Sequence, residues 1–328
     1  FGERMHPEMT QWDFIWRLVS DPRFIDRVGA MYTEYGAISL QGELDKFLAT
    51  PELDRELLLS ILRRFGIWPS GGSNTNFHDF LVKLHGLQQT LEPTRRLKLN
   101  FTDIPWKWEG MTEPEYRSYM FSVATARDYI MARNILELRN QRLAAGGHGK
   151  ALVIMNSRHA WRVFDGQGRP RDNTASYLAF WLGDGVSTVL LNTTGYKDGK
   201  LAPISDGKWD AAFLVCGNPE AGFSLDGSPF GKDPCDQSPR PQPFRYQEAF
   251  DGLLFLNPLW DHVAGDYVPG YFNEEFMKEL RLRCPAAVSM TREEYLGNME
   301  EWWDFLRSTP EEVLRQVLIR LTFYARDP

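Results

Sequence analysis

The sequence predicts an α/β protein with a mainly parallel sheet flanked by helices. Short apolar runs rich in β-branched residues end at turn-forming residues, and amphipathic segments alternate with them. The 328 residues are 43% apolar, enough to bury a substantial core. Strands that alternate with helices favour a parallel sheet covered on both faces. We therefore expect a single α/β domain over 1–328.

The elements follow one another along this predicted domain. Residues 9, 12, 15, 16 and 19 are apolar at helical spacing, and Pro7 and Glu8 suit the first turn of that helix. The predicted strands are 28–35, 97–102, 151–155, 186–191, 211–216 and 253–256. The further predicted helices are 41–48, 53–65, 115–143, 175–182, 273–283, 292–306 and 310–324.

Three segments interrupt the alternation of strands and helices. We predict a helical insertion at 37–95 and a C-terminal helical segment at 273–328. The Gly/Pro-rich stretch at 217–247 is predicted to be a surface loop or a lid, because connections of that length without regular structure often form pocket walls.

Bulk composition excludes several classes of function. A net charge of −7 without a long basic run argues against a dedicated nucleic-acid surface, and Arg95, Arg96 and Lys98 form only a small charged patch. No apolar run approaches the roughly 20 residues of a membrane span. Three widely spaced cysteines indicate neither a disulfide framework nor a metal knuckle, so we expect a reducing, cytoplasmic location.

The beginning of the chain bears on that expectation. It has no initiator Met and opens on a turn that normally follows a strand, so we expect an upstream strand, tag or targeting peptide to be missing from it. Secretion therefore stays open. The sequence leaves the oligomeric state open as well.

Ionisable side chains stand where several predicted strands end. Glu3 and His6 follow a truncated first strand, and Glu34, Asp103 and His159 follow the second, third and fourth. Ligands of open parallel sheets bind at the carboxyl ends of the strands, so we predict that these groups share one site. Each also has a structural alternative, because a histidine or an aspartate at such a position can serve only as a cap or a satisfied polar group.

Further candidates lie on the long predicted helix and beside the third strand. Arg127, Met131 and Asn134 share one helix face, and an arginine among apolar neighbours needs either an anionic ligand or a structural carboxylate. We predict a catalytic role for Arg127 and substrate-binding roles for Asp103, Trp106 and Asn134. His78, His85, His148 and His262 are expected to be structural.

These residues occur in motifs that resemble a known superfamily. The motifs are Gly-Glu-x-x-His at 2–6, Thr-Glu-Tyr-Gly at 33–36, Ala-Arg-Asp-x-x-Met-Ala-x-Asn-Ile at 126–135 and Ala-Leu-Val-Ile-x-x-x-x-His at 151–159. In content and order they resemble the erythromycin esterase-like, ChaN and Tiki superfamily. The resemblance covers the first half of the chain well and becomes thin after His159.

The resemblance implies a fold and a set of roles. It implies an α/β sheet with the site at its strand ends, His6 as the water-activating base, Glu3 and Glu34 as orienting or polarising groups, and His159 as a further member of the cluster. In the same superfamily the Tiki branch is a metal-dependent protease and the ChaN branch binds haem. Neither specialisation is clear in this sequence, and no His-rich segment of a macrolide esterase is evident in its second half.

Several chemistries remain open for the predicted site. A neutral imidazole paired with a carboxylate can take a proton from water that attacks an ester, a lactone or a related small molecule. Alternatively, His6, Glu34 and His159 could ligate one divalent zinc, manganese or iron ion. The same acid and base could also catalyse a cyclisation, elimination or isomerisation, and the abundant tryptophans leave haem binding as a further alternative. The cofactor is thus unknown, and the reaction could need none.

Overall fold

The protein is described here from a computed structural model that covers residues 1–66, 72–108 and 110–283. These residues divide into two compact units. Unit 1 comprises 1–11 and 156–264, and unit 2 comprises 12–155 and 265–283. The assignment of 1–328 to one domain stays a prediction. The predicted helices 292–306 and 310–324 lie outside the described residues.

The strands and helices follow each other in alternation. The strands are β1 Gly2–Glu3, β2 Ala30–Ala37, β3 Lys98–Asp103, β4 Leu152–Asn156, β5 Val189–Leu191, β6 Thr194–Lys197, β7 Lys200–Pro203, β8 Ala221–Ser224 and β9 Gly252–Phe255. The α-helices are α1 Thr10–Val19, α2 Pro22–Arg27, α3 Gln41–Ala49, α4 Arg55–Arg63, α5 Thr75–Thr90, α6 Glu113–Ala144, α7 Thr174–Leu182, α8 Lys208–Val215, α9 Tyr246–Ala249 and α10 Glu274–Arg283.

The sheet of unit 2 has β2 at its centre. Strand β2 pairs in parallel with β3 on one side and with β4 on the other, and α6 packs against β3. An aromatic cluster fills the core beside it, where Trp12 contacts Tyr35, Phe77 and Phe80 at ring-centroid distances of 5.3, 4.9 and 5.0 Å. Such edge and tilted ring contacts are favourable geometries for packed aromatic side chains.

The sheet of unit 1 is short-stranded and mostly parallel. Strand β1 pairs in parallel with β5, β5 pairs in parallel with β9, and β8 adds an antiparallel edge to β9. Helix α8 covers this sheet, where Phe213 stacks on Phe255 with ring centroids 3.8 Å apart. A separate hairpin joins β6 and β7. No described helix combines the length and apolar character that crossing a membrane requires.

The predicted α/β class, with a mainly parallel sheet and flanking helices, is therefore confirmed, and most predicted elements lie within a few residues of those observed. The predicted strand 211–216 is wrong, because these residues belong largely to helix α8. A short apolar run cannot by itself distinguish a buried strand from a buried helix. Here the segment follows Gly207, whose left-handed backbone begins the helix, and it contains the good helix formers Ala211 and Ala212.

The predicted helical insertion and the predicted loop or lid both contain regular structure. The segment 37–95 is helical, with α3, α4 and α5 as its main elements. The segment 217–247 contains β8, and its buried Cys235 and Phe244 are joined by a backbone hydrogen bond of 3.0 Å. Tyr246 donates a hydrogen bond to Asp236 just beyond this bond. Several side chains of this segment are thus buried within unit 1, whereas many of its other residues are exposed.

A bulge in β2 shapes the strand around Glu34. The register with β3 shifts between Thr33 and Ala37, so the residues between them leave the regular ladder. Gly36 has a φ of +112°, and a Cβ there would lie 2.6 Å from the Phe101 ring. Only glycine satisfies both the backbone conformation and the close approach.

We expect Gly36→Ala to lower the free energy of unfolding by about 2 kcal/mol or more, from backbone strain and overpacking together. Gly86→Ala is the matched control, because Gly86 lies inside α5 with open space around its Cβ position. That substitution should stabilise the protein by about 0.5–1 kcal/mol. Urea denaturation of both variants measures the difference, and a Gly36→Ala protein as stable as wild type would contradict the packing described.

Candidate active site

Unit 1 brings Glu3 and His6 into direct contact. Glu3 ends β1 and is fully buried, whereas the His6 side chain is 33% exposed. The Nδ1 atom of His6 is hydrogen-bonded to Oε1 of Glu3. A carboxylate at this position favours the tautomer with the proton on Nδ1, because that N–H can then donate to it. The Nε2 atom of the neutral ring consequently carries the lone pair.

The turn that carries His6 is anchored on both sides. The N–H of Glu8 donates to the carbonyl of Met5 at 3.0 Å, and Pro7 restricts the backbone between them. Helix α1 begins at Thr10, so Pro7 and Glu8 precede it, and the prediction that they form its first turn is wrong. Glu8 instead caps the helix, since its carboxylate accepts bonds from the N–H groups of Thr10 and Gln11, both at 2.9 Å.

His159 lies in a 3-10 turn, Ser157–Ala160, directly after β4. It is 3% exposed. The turn packs against β1, and a Cβ on Gly2 would lie 3.1 Å from the Cα of Ser157 and 3.2 Å from the Cβ of Ala160. The absence of a side chain at Gly2 therefore lets the Glu3 strand approach the His159 turn within unit 1.

Unit 2 gathers a second set of predicted residues around Asp103. Nε and Nη2 of Arg127 donate to the two carboxylate oxygens of Asp103 at 2.8 and 2.9 Å, a bidentate pair. Nη2 also lies 3.5 Å from Oε2 of Glu34. Ile104 donates its N–H to Asp103 at 2.8 Å, as expected of a turn cap, and Trp106 donates its ring N–H at 3.1 Å.

The face of α6 predicted from spacing points toward β3. Arg127 reaches Asp103, Met131 is fully buried, and Nδ2 of Asn134 donates to the Thr102 carbonyl at 2.9 Å. The guanidinium of Arg127 lies 5.6 Å from the centre of the Trp106 ring. In this structure Asn134 holds the strand and Arg127 holds a carboxylate, so both have structural partners.

Burial and charge compete in this cluster. Burial raises the pKa of Asp103 above its ordinary value, although the adjacent Arg127 guanidinium acts in the opposite direction. Burial also disfavours the charged form of Arg127, but Asp103 and Glu34 outweigh that effect and raise its pKa. The guanidinium therefore remains charged and compensates two buried carboxyl groups.

Arg127→Met should lower the free energy of unfolding by about 3 kcal/mol, because the buried carboxyl groups of Asp103 and Glu34 lose their counter-charge. Arg133→Met is the control, since Arg133 is exposed on the same helix and its removal should change stability by less than about 0.5 kcal/mol. Thermal or urea denaturation at pH 7 compares the two. Equal effects of both substitutions would refute a compensating role for Arg127.

The sequence analysis did not select Arg4, although it lies between the two predicted residues Glu3 and His6. Its guanidinium is buried and lies 3.3 Å from Oε2 of Glu8, four residues later. An Arg–Glu spacing of four before a helix is a weak signal, because such pairs are usually exposed. The burial of Arg4 depends on partners from distant segments, so the local sequence does not predict it.

Two further ionisable groups of unit 1 respond to the charge of Arg4. Burial lowers the pKa of His262 well below its ordinary value, and Arg4 adds to that effect. Burial raises the pKa of Asp210 to about 6, with the Leu259 N–H and Arg4 opposing the shift. At neutral pH the His262 imidazole is thus neutral and the Asp210 carboxylate is ionised, and both interact electrostatically with the Arg4 guanidinium.

We expect the contribution of Asp210 to stability to fall as the pH rises from about 4 to about 6, because the folded chain keeps the Asp210 proton that the unfolded chain releases. A shift from 3.8 to about 6 corresponds to about 3 kcal/mol. Asp210→Asn should remove this loss and stabilise the protein at pH 7. Denaturation midpoints of Asp210→Asn and of the control Asp226→Asn, whose side chain is exposed, are measured across this pH range. Identical pH profiles for the two variants would contradict a raised pKa at Asp210.

Comparison with known proteins gives similarity at the level of solved structures. No protein-family model and no curated protein matches the chain. A protein from Bacillus cereus aligns with a TM-score of 0.48 and 12% identity, over 77% of this chain and 86% of that chain. The erythromycin esterase EreC, as a mutant in its open conformation, aligns with a TM-score of 0.47 and 11% identity, over 74% and 84%.

A succinoglycan biosynthesis protein is also similar, with a TM-score of 0.45 and 11% identity, over 78% of this chain and 86% of that chain. At these identities the roles of individual residues have to come from the chain itself.

Proposed function

We propose that the protein is a hydrolase in which His6 activates water for attack on an ester, a lactone or a related small molecule. The observation that carries this proposal is the contact between the buried carboxylate of Glu3 and Nδ1 of the partly exposed His6. A carboxylate that orients a histidine is the arrangement of a general base. The small-molecule substrate belongs to this proposal as well.

In the proposed reaction the Nε2 atom of His6 takes a proton from water as the oxygen attacks the substrate carbonyl. The ring becomes an imidazolium, and the negative charge of Glu3 stabilises it without accepting the proton. As the tetrahedral intermediate collapses, the same proton passes to the leaving oxygen, so His6 returns to its neutral state. No protein nucleophile and no covalent intermediate are needed.

We extend this proposal to the remaining predicted residues. Glu34, Arg127 and His159 are proposed to polarise the substrate or stabilise the developing oxyanion, with Asp103, Trp106 and Asn134 contributing to substrate binding. The support is that Asp103 ends β3, that His159 follows β4 and that Arg127 pairs with Asp103 there. Glu34 lies inside β2, in its bulge. Arg127 already binds Asp103 through two donors, so its proposed effect is mainly electrostatic.

The metal-dependent alternative uses the same residues differently. With Nδ1 of His6 bonded to Glu3, its Nε2 atom is the one that could bind zinc, manganese or iron, with Glu34 and His159 as the other proposed ligands. Haem binding has less support, because two of the tryptophans already pack against protein side chains: Trp161 contacts Phe244, and Trp108 contacts Arg283. We therefore treat the metal and haem alternatives as outcomes of the experiment below.

The test is a panel of p-nitrophenyl esters, small lactones and macrocyclic lactones incubated with the purified chain. For the substrate with the highest turnover, His6→Gln should reduce kcat/KM by at least about 100-fold, because the general base is lost. Glu3→Gln should also reduce it, because an amide does not stabilise the imidazolium. Incorporation of ¹⁸O from labelled water into the acid product distinguishes hydrolysis from elimination, cyclisation or isomerisation.

His78→Gln is the matched control, because Nδ1 of His78 also contacts a carboxylate, Oδ1 of Asp79, at 2.7 Å. This pair lies within helix α5 and includes none of the predicted site residues, so its loss should leave turnover unchanged. Normal turnover by His6→Gln would refute the proposal. Turnover that disappears on chelation and returns with added metal would favour the metal-dependent alternative, and a Soret band on haem titration would favour haem binding.

A further inference from the structure

Arg4 has an unusually complete set of partners for a residue between two proposed catalytic groups. Its side chain is fully buried, and acceptors from four residues in three segments of unit 1 surround it. Nε donates to the Asn192 carbonyl at 2.7 Å. Nη1 donates to Thr10 Oγ1 at 2.7 Å and to Glu8 Oε2 at 3.3 Å. Nη2 donates to Asn192 Oδ1 at 2.6 Å and to the Asn257 carbonyl at 3.4 Å.

The positions of these partners have something in common. Asn192 directly follows β5, and Asn257 lies two residues after β9. Glu8 and Thr10 stand at the start of α1, and Arg4 itself directly follows β1. One guanidinium therefore connects the carboxyl ends of three parallel strands to the N-terminus of a helix.

The main chain next to His6 is held by the same assembly. The N–H of Arg4 donates to Oε1 of Gln11 at 2.7 Å, and Nε2 of Gln11 returns a bond of 2.8 Å to the Met5 carbonyl. Glu8, whose carboxylate contacts Arg4, closes the other side of the turn through its own N–H. His6 thus stands between two anchored points, three residues after the carboxylate that it contacts.

A fully buried cation is costly unless geometry and pairing are both good, and apolar replacements of buried ion pairs are often as stable. Stability alone therefore gives little reason for an arginine here. Its planar fork, in contrast, can hold several acceptors in fixed directions, which a lysine ammonium cannot do. We propose that Arg4 is a positioning residue that fixes the turn presenting His6 to Glu3.

This inference rests on the proposed role of His6 and adds a residue to it. Arg4 acts through the backbone and through its electrostatic interactions with Glu8, Asp210 and His262. The effect of the Arg4 charge and the effect of its planar donor geometry can be separated by substitution. Arg4→Lys keeps the charge and loses the fork, whereas Arg4→Met keeps most of the volume and loses both.

The matched control is Arg283, which is also 1% exposed and lies in unit 2. Like Arg4 it binds a main-chain carbonyl, that of Arg63, and a carboxylate four residues away, that of Glu279. Arg283→Lys and Arg283→Met should reduce thermal stability much as the Arg4 variants do. They should leave His6 unaffected.

The decisive measurement is the ¹⁵N chemical shifts of the His6 ring in folded protein at neutral pH, assigned with His6→Gln. In wild type and in both Arg283 variants we expect the proton on Nδ1. In Arg4→Lys and Arg4→Met we expect a mixture of tautomers, because the ring is no longer held toward Glu3. On the ester found in the panel, kcat should fall by about 10-fold to 100-fold in Arg4→Lys with KM nearly unchanged.

Asn192→Ala provides a milder variant if Arg4→Met does not fold, because it removes one acceptor and leaves the guanidinium in place. It should shift the His6 tautomers partway toward the Arg4→Lys mixture. Wild-type tautomers and kcat in folded Arg4→Lys would overturn the positioning role. If no ester is hydrolysed by wild type, the proposed function fails, yet the ¹⁵N measurement still decides whether Arg4 positions His6.

Discussion

A positive charge without access to water constrains the strand ends of unit 1. The guanidinium of Arg4 has to be matched by acceptors in every direction in which it donates, and the side chains or carbonyls of Asn192, Asn257 and Glu8 supply them. Because these partners come from segments up to 253 residues away, the loops after β5 and β9 can occupy only a narrow range of positions. The position of the His6 turn is restricted in the same way, because Glu8 contacts Arg4 and closes that turn.

Unit 2 has a comparable arrangement built on a different element. There Arg127, on the long helix α6, pairs with Asp103 at the end of β3 and lies near Glu34 in the bulge of β2. Each unit therefore has a carboxylate at the carboxyl end of a parallel strand, Glu3 on β1 and Asp103 on β3. Each also has an arginine with several acceptors: Arg4 is buried and contacts Glu8, and Arg127 is partly exposed and contacts Asp103. Ion pairs of this kind contribute little net stability, but they fix orientation, which is what a catalytic group requires.

Much of this organisation could be anticipated from local pattern. Residues Glu34, Asp103 and His159 were predicted at strand ends, and the structure places Asp103 at the last position of β3 and His159 in the turn after β4. The prediction for Glu34 is wrong, because β2 continues past it through a bulge to Ala37. Arg127 and Asn134 share one face of α6, as their spacing predicts, and the structure shows that this face contacts β3. The strand predicted at 211–216 is a helix because a six-residue apolar run satisfies either period.

The sequence by itself determined the α/β class, the order of most elements and the chemical groups that follow the strands, because each of these depends on neighbours within a few residues. Only the tertiary structure decided that Arg4 is buried, that Glu3 orients His6 through Nδ1, and that Arg127 binds Asp103 with two donors. Partner choice depends on strand order and packing, since Arg4 and Asn192 are 188 residues apart in sequence. Hydrophobic periodicity carries no information at that separation.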